Sequence, residues 1–383
     1  MRATVYFGAL IAPAIILASC GSPAPATTST VSTDTTRVAA LDGKLLVPAG
    51  FKVAYYSPSV PGVRFMAIGP DGAVYASQPD RGRIVRLPDA NKDGVADSIT
   101  VVATGLNQPH GLAFRGGALF VANTDGVVRL ALGANGAATG PATYVNRYAA
   151  GGGHWTRTIV FGADGAMYVA VGSSCNLCVE QSSDRAAVLR FNEDGSGRRV
   201  FASGLRNAVG LAVHPQTGAV WASQNERDNL RPSFEDLPPE ELNILTDGAD
   251  YGWPYCYGDR TPNPEYADAA RCARTVAPAL AMQAHSAPLG MSFLTDASSF
   301  PAEFRGDLLV AFHGSWNRDT PTGAKVVRVR VANGKPVSVE DFITGWQQSN
   351  GQRWGRPVDV VVAADGSVLI SDDSAGAIYR VTR

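Results

Sequence analysis

The stretch "IVFGADGAMYVA", residues 159–170, sets two short apolar runs on either side of a glycine-centred turn. Branched and aromatic residues flanking such a turn read as two antiparallel strands. The pattern returns as "MAIGPDGAVYAS" (66–77), "LAFRGGALFVAN" (112–123), "LAVHPQTGAVWAS" (211–223) and "VVVAADGSVLIS" (360–371). A weaker sixth copy, with a longer turn, runs over 290–312. The first copies start about 46 residues apart, the length of a four-stranded propeller blade, and the period stretches after the fourth and fifth copies. Further strands fit between neighbours, such as "GRIVRLP" and "SITVVATGL" after the first copy. The expected fold is all-β, a six-bladed β-propeller with four-stranded blades. "GFKVAYYS" near residue 50 has the strand character to close the ring beside the terminal "AIYRVTR". No amphipathic helix of useful length separates the copies, which disfavours a parallel α/β fold.

The 383 residues are nearly neutral, with 33 Lys+Arg against 34 Asp+Glu. No basic stripe argues for nucleic acid, and no acidic tail for a cationic partner. Residues 1–19 read as an export signal ending in "LASC", which resembles a bacterial lipobox. That reading makes Cys20 the lipidated first residue of an exported lipoprotein, on the periplasmic side of a membrane or at the cell surface. Residues 20–40 are small and polar and read as a tether, leaving 41–383 as the propeller domain. The other four cysteines are even in number and bound for an oxidising compartment. They are expected to pair as Cys175 with Cys178 and Cys256 with Cys272, the alternative for "CNLC" being half of a zinc site.

In propellers, the loops entering the first strand of each blade line one mouth of the central tunnel. Polar groups stand just before five of the copies: His110, His154, Arg206 with Asn207, His285 and Arg356. Their common position implies one axial pocket. His154 follows three glycines in "GGGHWTR", so it is either filling a turn or aimed into that pocket. Separately, "DANKDGVAD" (89–97) has the oxygen spacing of a calcium loop, with Asp89, Asn91, Asp93 and Asp97 as candidate ligands. The plain alternative is a hairpin turn.

Five stretches in order, "GHWTRTIVFGADGAMYVAVGSSC", "GLRNAVGLAVHPQTGAVWASQNERD", "ELNILTDGADYGWPYCYGD", "AHSAPLGMSF" and "GRPVDVVVAADGSVLISDD", resemble the soluble quinoprotein glucose and sorbosone dehydrogenases. The sorbosone-dehydrogenase-like branch is the nearer. The resemblance implies pyrroloquinoline quinone and calcium as cofactors. It matches His154 to the general base and Arg356 to an arginine that stabilises charge on the quinone. Arg206 and Asn207 match the segment contacting the cofactor from another blade, with His285 in the same pocket. A fifth-blade cation is expected from Arg318 or Lys325. The turn "SQNERD" matches the metal-binding turn, which implies main-chain oxygens of Gln224 and Asn225 with Glu226 and Asp228 nearby. Val209 stands where the glucose enzymes carry a glutamine, which removes one cofactor contact.

The reading that follows is a PQQ-dependent dehydrogenase oxidising an aldose or sugar aldehyde to a lactone or acid and passing electrons to an acceptor the sequence does not name. Two alternatives stand beside it. One is a calcium-dependent lactonase on a six-bladed propeller, and the other is a propeller that binds a ligand without reacting.

Overall fold

The computed structural model describes residues 36–230, 235–295 and 298–383, together with Met1. Cys20 and its signal lie outside the described residues. The described residues from 36 onward belong to one compact unit.

Among the described residues, six sheets form the blades, each with four antiparallel strands and one of them with a fifth, parallel strand added, and each innermost strand comes from the start of a sequence copy. The first blade holds Met66–Ile68, Val74–Gln78, Arg83–Leu87 and Thr100–Ala103. The second holds Gly111–Arg115, Ala118–Asn123, Gly126–Ala131 and Thr143–Arg147. The third runs through Arg157–Phe161, Met167–Val171, Ala187–Phe191 and Arg199–Ser203, and the fourth through Ala208–Val213, Val220–Gln224, Glu240–Ile244 and Leu280–Met282. The fifth comprises Pro288–Phe293, Leu308–Phe312, Lys325–Ala332 and Lys335–Ile343. The sixth takes Pro357–Val362, Val368–Asp372 and Ala377–Thr382 from the C-terminal end and Lys52–Ser57 from the N-terminal side, with Val381 opposite Val53. Closure by a strand distant in sequence removes the exposed edge that an open ring would present.

The apolar faces of the copies explain why the ring holds together. Each pair of neighbouring blades encloses its own apolar cluster. Phe120, Val169 and Phe191 pack between the second and third blades, and Trp221, Phe293 and Val310 between the fourth and fifth. The innermost strands approach so closely that a Cβ at Gly210 would lie 2.1 Å from the Leu289 carbonyl oxygen. This is why glycine recurs at the same place in "HGLAF", "VGLAV" and "LGMSF".

Two additions lie outside the six repeated units. An insertion after Glu240–Ile244 carries the Cys256–Cys272 disulfide and a short helix, Ala269–Cys272. Its Ala249–Asp250 pairs in parallel with Ala202–Ser203, tying the fourth blade to the third. At the N-terminal side Arg37–Ala40, assigned to the tether by composition, pairs instead with Leu45–Pro48. Leu45 and Val47 then bury against the fifth and sixth blades.

Candidate active site

A cavity of about 280 Å³ lies on the axis where the entry loops meet. Arg64, His154, Arg206 with Asn207, His285 and Arg356 reach it from just before the first strands of five blades. Asn225, Glu226 and Asp228 reach it from the loop after the fourth blade's second strand, and His313, Trp316 and Asn317 from the corresponding loop of the fifth. Its floor is apolar. Phe65, Val209, Leu289 and Val358 form a buried cluster contributed by four blades. Val209, marked in the sequence as a lost contact, is thus part of the plug that closes the tunnel.

His110 belongs to that plug layer rather than to the cavity. It is fully buried, stacks on Phe65 with ring centroids 4.1 Å apart, and meets the Arg157 carbonyl through Nδ1 at 3.0 Å. Burial holds its pKa well below the usual imidazole value, so it stays neutral.

His154 is held differently. Its Nδ1 lies 3.1 Å from the Ser173 carbonyl oxygen and 2.9 Å from Ser173 Oγ. A carbonyl only accepts, and Ser173 Oγ already donates to the Cys175 carbonyl at 2.6 Å, so Nδ1 carries the proton. Nε2 is therefore unprotonated, and among the described residues it has no protein partner. Desolvation, reinforced by Arg206, lowers the ring's pKa to about 3, so it is neutral at physiological pH. The glycines around it are required by space. A Cβ at Gly153 would lie 2.5 Å from the Ser174 carbonyl, and one at Gly172 would lie 2.6 Å from both His154 Cβ and Asn207 Oδ1. Arg157, fully buried beneath, donates to the His154 carbonyl at 2.9 Å and fixes the backbone of the turn.

The three cavity arginines differ in what they have left to give. Arg206 spends all five N–H groups on protein. Nε donates to the Asn176 carbonyl, Nη1 to the Asn225 and Glu226 carbonyls, and Nη2 to Asn176 Oδ1 and Asp228 Oδ2, at 2.7–3.1 Å. Arg356 donates Nε to the His313 carbonyl at 2.9 Å and Nη2 to the Gly314 carbonyl at 2.8 Å, leaving Nη1 without a protein acceptor among the described residues. Arg64 pairs with Asp373 at 2.5 Å, and His313 Nε2 lies 2.9 Å from the same carboxylate. Burial nevertheless lowers the His313 pKa to about 4, so it contributes no charge at neutral pH.

The carboxylates offset two of these charges and leave one: Asp373 pairs with Arg64 and Asp228 with Arg206, whereas among the described residues no carboxylate pairs with Arg356. Asp228 is committed to Arg206 and Asn317. Desolvation raises Glu240 to about 8 and raises Glu226 and Glu241 as well, so near neutral pH Glu240 is largely protonated. With Arg356 unpaired, the cavity suits an anionic ligand, and the residues present fit pyrroloquinoline quinone.

Calcium fits less well. The Asn225 and Glu226 carbonyls, the oxygens on offer at the turn, already face the Arg206 guanidinium, and Gln224 lies in the strand rather than on the cavity wall. A divalent ion there would face a fixed cation. The second candidate loop lies beyond the opposite end of the innermost strands, where Asp89 lines a separate cavity with the Pro70–Ala73 turn. Its oxygens serve the turn itself. Asp89 accepts from the Asp93 and Gly94 amides, Asn91 from Asp93, Asp93 from Val95, and Asp97 from Ala90. Among the described residues the Asp89, Asp93 and Asp97 carboxylates do not gather within 4.8 Å of one another.

Neither proposed fifth-blade cation reaches the cavity. Arg318 binds Asp236 at 3.2 Å and the Glu235 carbonyl, and Lys325 pairs with Asp341 at 2.6 Å. The third cation is Arg64, in "PGVRFMAIG", which precedes the first copy as Arg356 precedes the last. His313 and Asn317 were also missed, although "HGSWN" follows the fifth blade's second strand as "NERD" follows the fourth's. Cys175–Cys178 and Cys256–Cys272 pair as expected.

Known proteins resemble this chain in sequence and in fold. The family model described as Glucose / Sorbosone dehydrogenase matches residues 121–380. A pyrroloquinoline quinone-dependent pyranose dehydrogenase of Coprinopsis cinerea is 29% identical over 295 residues, covering 60% of this chain and 40% of that protein. An aldose sugar dehydrogenase of Escherichia coli is 25% identical over 256 residues, 60% of each chain. The matched stretches span about half the length of these curated relatives. The holo form of the pyranose dehydrogenase PQQ domain from C. cinerea superposes with a TM-score of 0.76 at 25% identity, over 90% of this chain and 100% of that one. A calcium structure of a Trichoderma reesei family AA12 carbohydrate-active enzyme gives 0.78 at 22% identity, over 91% and 99%, and shares the fold. With a six-bladed ring, an arginine-lined axial cavity and a family match over most of its propeller, this chain belongs to the glucose/sorbosone dehydrogenase family.

Proposed function

We propose that the protein is a pyrroloquinoline quinone-dependent dehydrogenase of the sorbosone-like branch that oxidises an aldose or sugar aldehyde to a lactone or acid. The observation that carries this reading is the pairing of a neutral, singly tethered His154 with an arginine-rich cavity. When bound, the quinone supplies the hydride acceptor. Arg356, with Nη1 unengaged and no carboxylate partner, holds and neutralises the anionic cofactor, while Arg64 and Arg206, each paired with an aspartate, line the cavity without a free charge. His154 takes the hydroxyl proton of the sugar at Nε2, the nitrogen left unprotonated by the Ser173 contact. Trp316, 73% exposed on the cavity wall, offers an apolar face to the sugar ring.

The remaining assignments belong to the same proposal. Residues 41–383 form the catalytic domain, and Cys20 carries a lipid that anchors the chain outside the cytoplasm. The lactonase alternative needs side-chain carboxylates converging on one ion. Among the described residues, the His, Cys, Asp and Glu ligand atoms that do converge are those of Cys175, Cys178 and Glu180, two of which form a disulfide.

The test is reconstitution of purified protein with pyrroloquinoline quinone, with and without calcium, followed by an aldose screen with a redox dye. Sugar-dependent dye reduction that requires the quinone is expected. Failure to bind quinone under either condition would remove the proposal.

A further inference from the structure

The Cys175–Cys178 disulfide closes a turn that follows the third blade's second strand and lies between His154 and Arg206. Its polar groups are directed at the site from inside the turn. Asn176 receives Arg206 Nε on its carbonyl at 3.0 Å and Arg206 Nη2 on Oδ1 at 2.9 Å. The same Oδ1 accepts the Asp228 amide at 2.8 Å, and Nδ2 donates to the Asp228 carbonyl at 3.0 Å. Trp253 Nε1 also donates to the Asn176 carbonyl, at 3.3 Å. On the other side, Ser173 donates Oγ to the Cys175 carbonyl and its amide to the Arg206 carbonyl at 2.7 Å. One short covalent ring therefore touches the support of the base and two of the five donors of a cavity arginine.

We propose that the disulfide-closed turn, through Asn176, is the positioning device that fixes Arg206 and Asp228 in the cavity. Asn176 is a positioning residue and touches neither cofactor nor sugar. The functional consequence rests on the reading given under Proposed function. A guanidinium whose five donors are all assigned is preorganised, so the cavity wall it forms needs no reorientation when an anionic ligand binds. The bridge matters because a free four-residue turn samples many conformers, and Asn176 meets Arg206 in few of them.

The clamp is measured first in the apoprotein, so that its failure is separate from any failure of the dehydrogenase reading. The Arg206 side-chain N–H resonances, above all Nη2, whose acceptor is Asn176 Oδ1, are assigned in 15N-labelled protein by their loss in Arg206→Lys, and their solvent exchange is followed. Asn176→Ala should accelerate that exchange at least about tenfold, and Cys175→Ser/Cys178→Ser should act in the same direction. Arg328 Nε, bonded to Asp307 at 2.7 Å in the fifth blade, serves as the unaffected reference. Asn176→Asp retains both oxygens that face Arg206 and should preserve the slow exchange. In loaded protein, Asn176→Ala should weaken quinone binding or lower kcat/KM by about tenfold or more, the usual effect of removing a partner that orients a ligand-binding group. Unchanged Arg206 exchange in both the Asn176→Ala and double-serine proteins overturns the proposal. So does accelerated exchange with quinone affinity and turnover at wild-type values. If wild-type protein binds no quinone, the functional reading fails, and the exchange data alone decide the clamp.

Discussion

Replacing His154 by alanine separates the chemistry from the scaffold. The ring contributes a contact from Nδ1 to Ser173, worth about 0.5–1.5 kcal/mol net, plus its packing. The rest of the turn persists without the ring. The residue 154 amide still donates to the Ser173 carbonyl at 3.0 Å, Arg157 still donates to the residue 154 carbonyl, and Ser173 still donates to Cys175. Folding and quinone loading should therefore change little. Turnover should fall by 10²–10⁴, the usual contribution of a positioned base, which corresponds to about 2.7–5.4 kcal/mol of barrier. The assay is dye reduction at saturating sugar, normalised to bound quinone and repeated across pH. Normalised turnover within threefold of wild type would refute the assignment, as would parallel losses of loading and activity. The pH dependence has a definite sign. The ring's pKa is lowered to about 3, so its protonation removes activity only on the acid side, with a limb well below pH 6.5. A limb near 6.5 that disappears in the alanine variant would mean the ring is solvated.

Other outcomes follow from the same contacts. Gly172→Ala places a Cβ 2.6 Å from His154 Cβ and Asn207 Oδ1, so turnover should drop at least about tenfold with circular dichroism unchanged; wild-type activity would show that the loops yield freely. Val209→Gln buries an amide in the apolar floor formed with Phe65, Leu289 and Val358 and should cost about 1–3 kcal/mol in denaturant unfolding unless it gains quinone affinity. Burial raises the Asp359 pKa to about 7, so the folded state holds a proton the unfolded state lacks between about pH 4 and 7. Stability from this group therefore falls as pH rises through that window, and Asp359→Asn should flatten the slope of Tm against pH there. Arg356→Gln should weaken quinone binding more than Arg318→Gln, because Arg318 is committed to Glu235 and Asp236 outside the cavity; equal effects would contradict the geometry.

The sequence by itself determined the blades, their number and the strand that closes them, because a glycine turn between two apolar runs is local and recurs at regular spacing. It also placed His154, Arg206 and Arg356 at one mouth, since residues preceding equivalent strands must occupy equivalent positions around an axis. Only the tertiary structure decided what those residues can do. The tautomer of His154 depends on a carbonyl 19 residues away, and the saturation of Arg206 on groups 19–30 residues away in two different loops. Arg318 and Lys325 had the charge for the site but met acids outside it. Arg64 precedes the first copy as Arg356 precedes the last, but only the cavity lining showed that it reaches the site. Val209 looked like a missing contact until three other blades supplied the apolar neighbours that make it part of the floor. Strand formation depends on neighbours along the chain, whereas charge, tautomer and free donors are fixed by partners the fold brings together, and no local pattern encodes them.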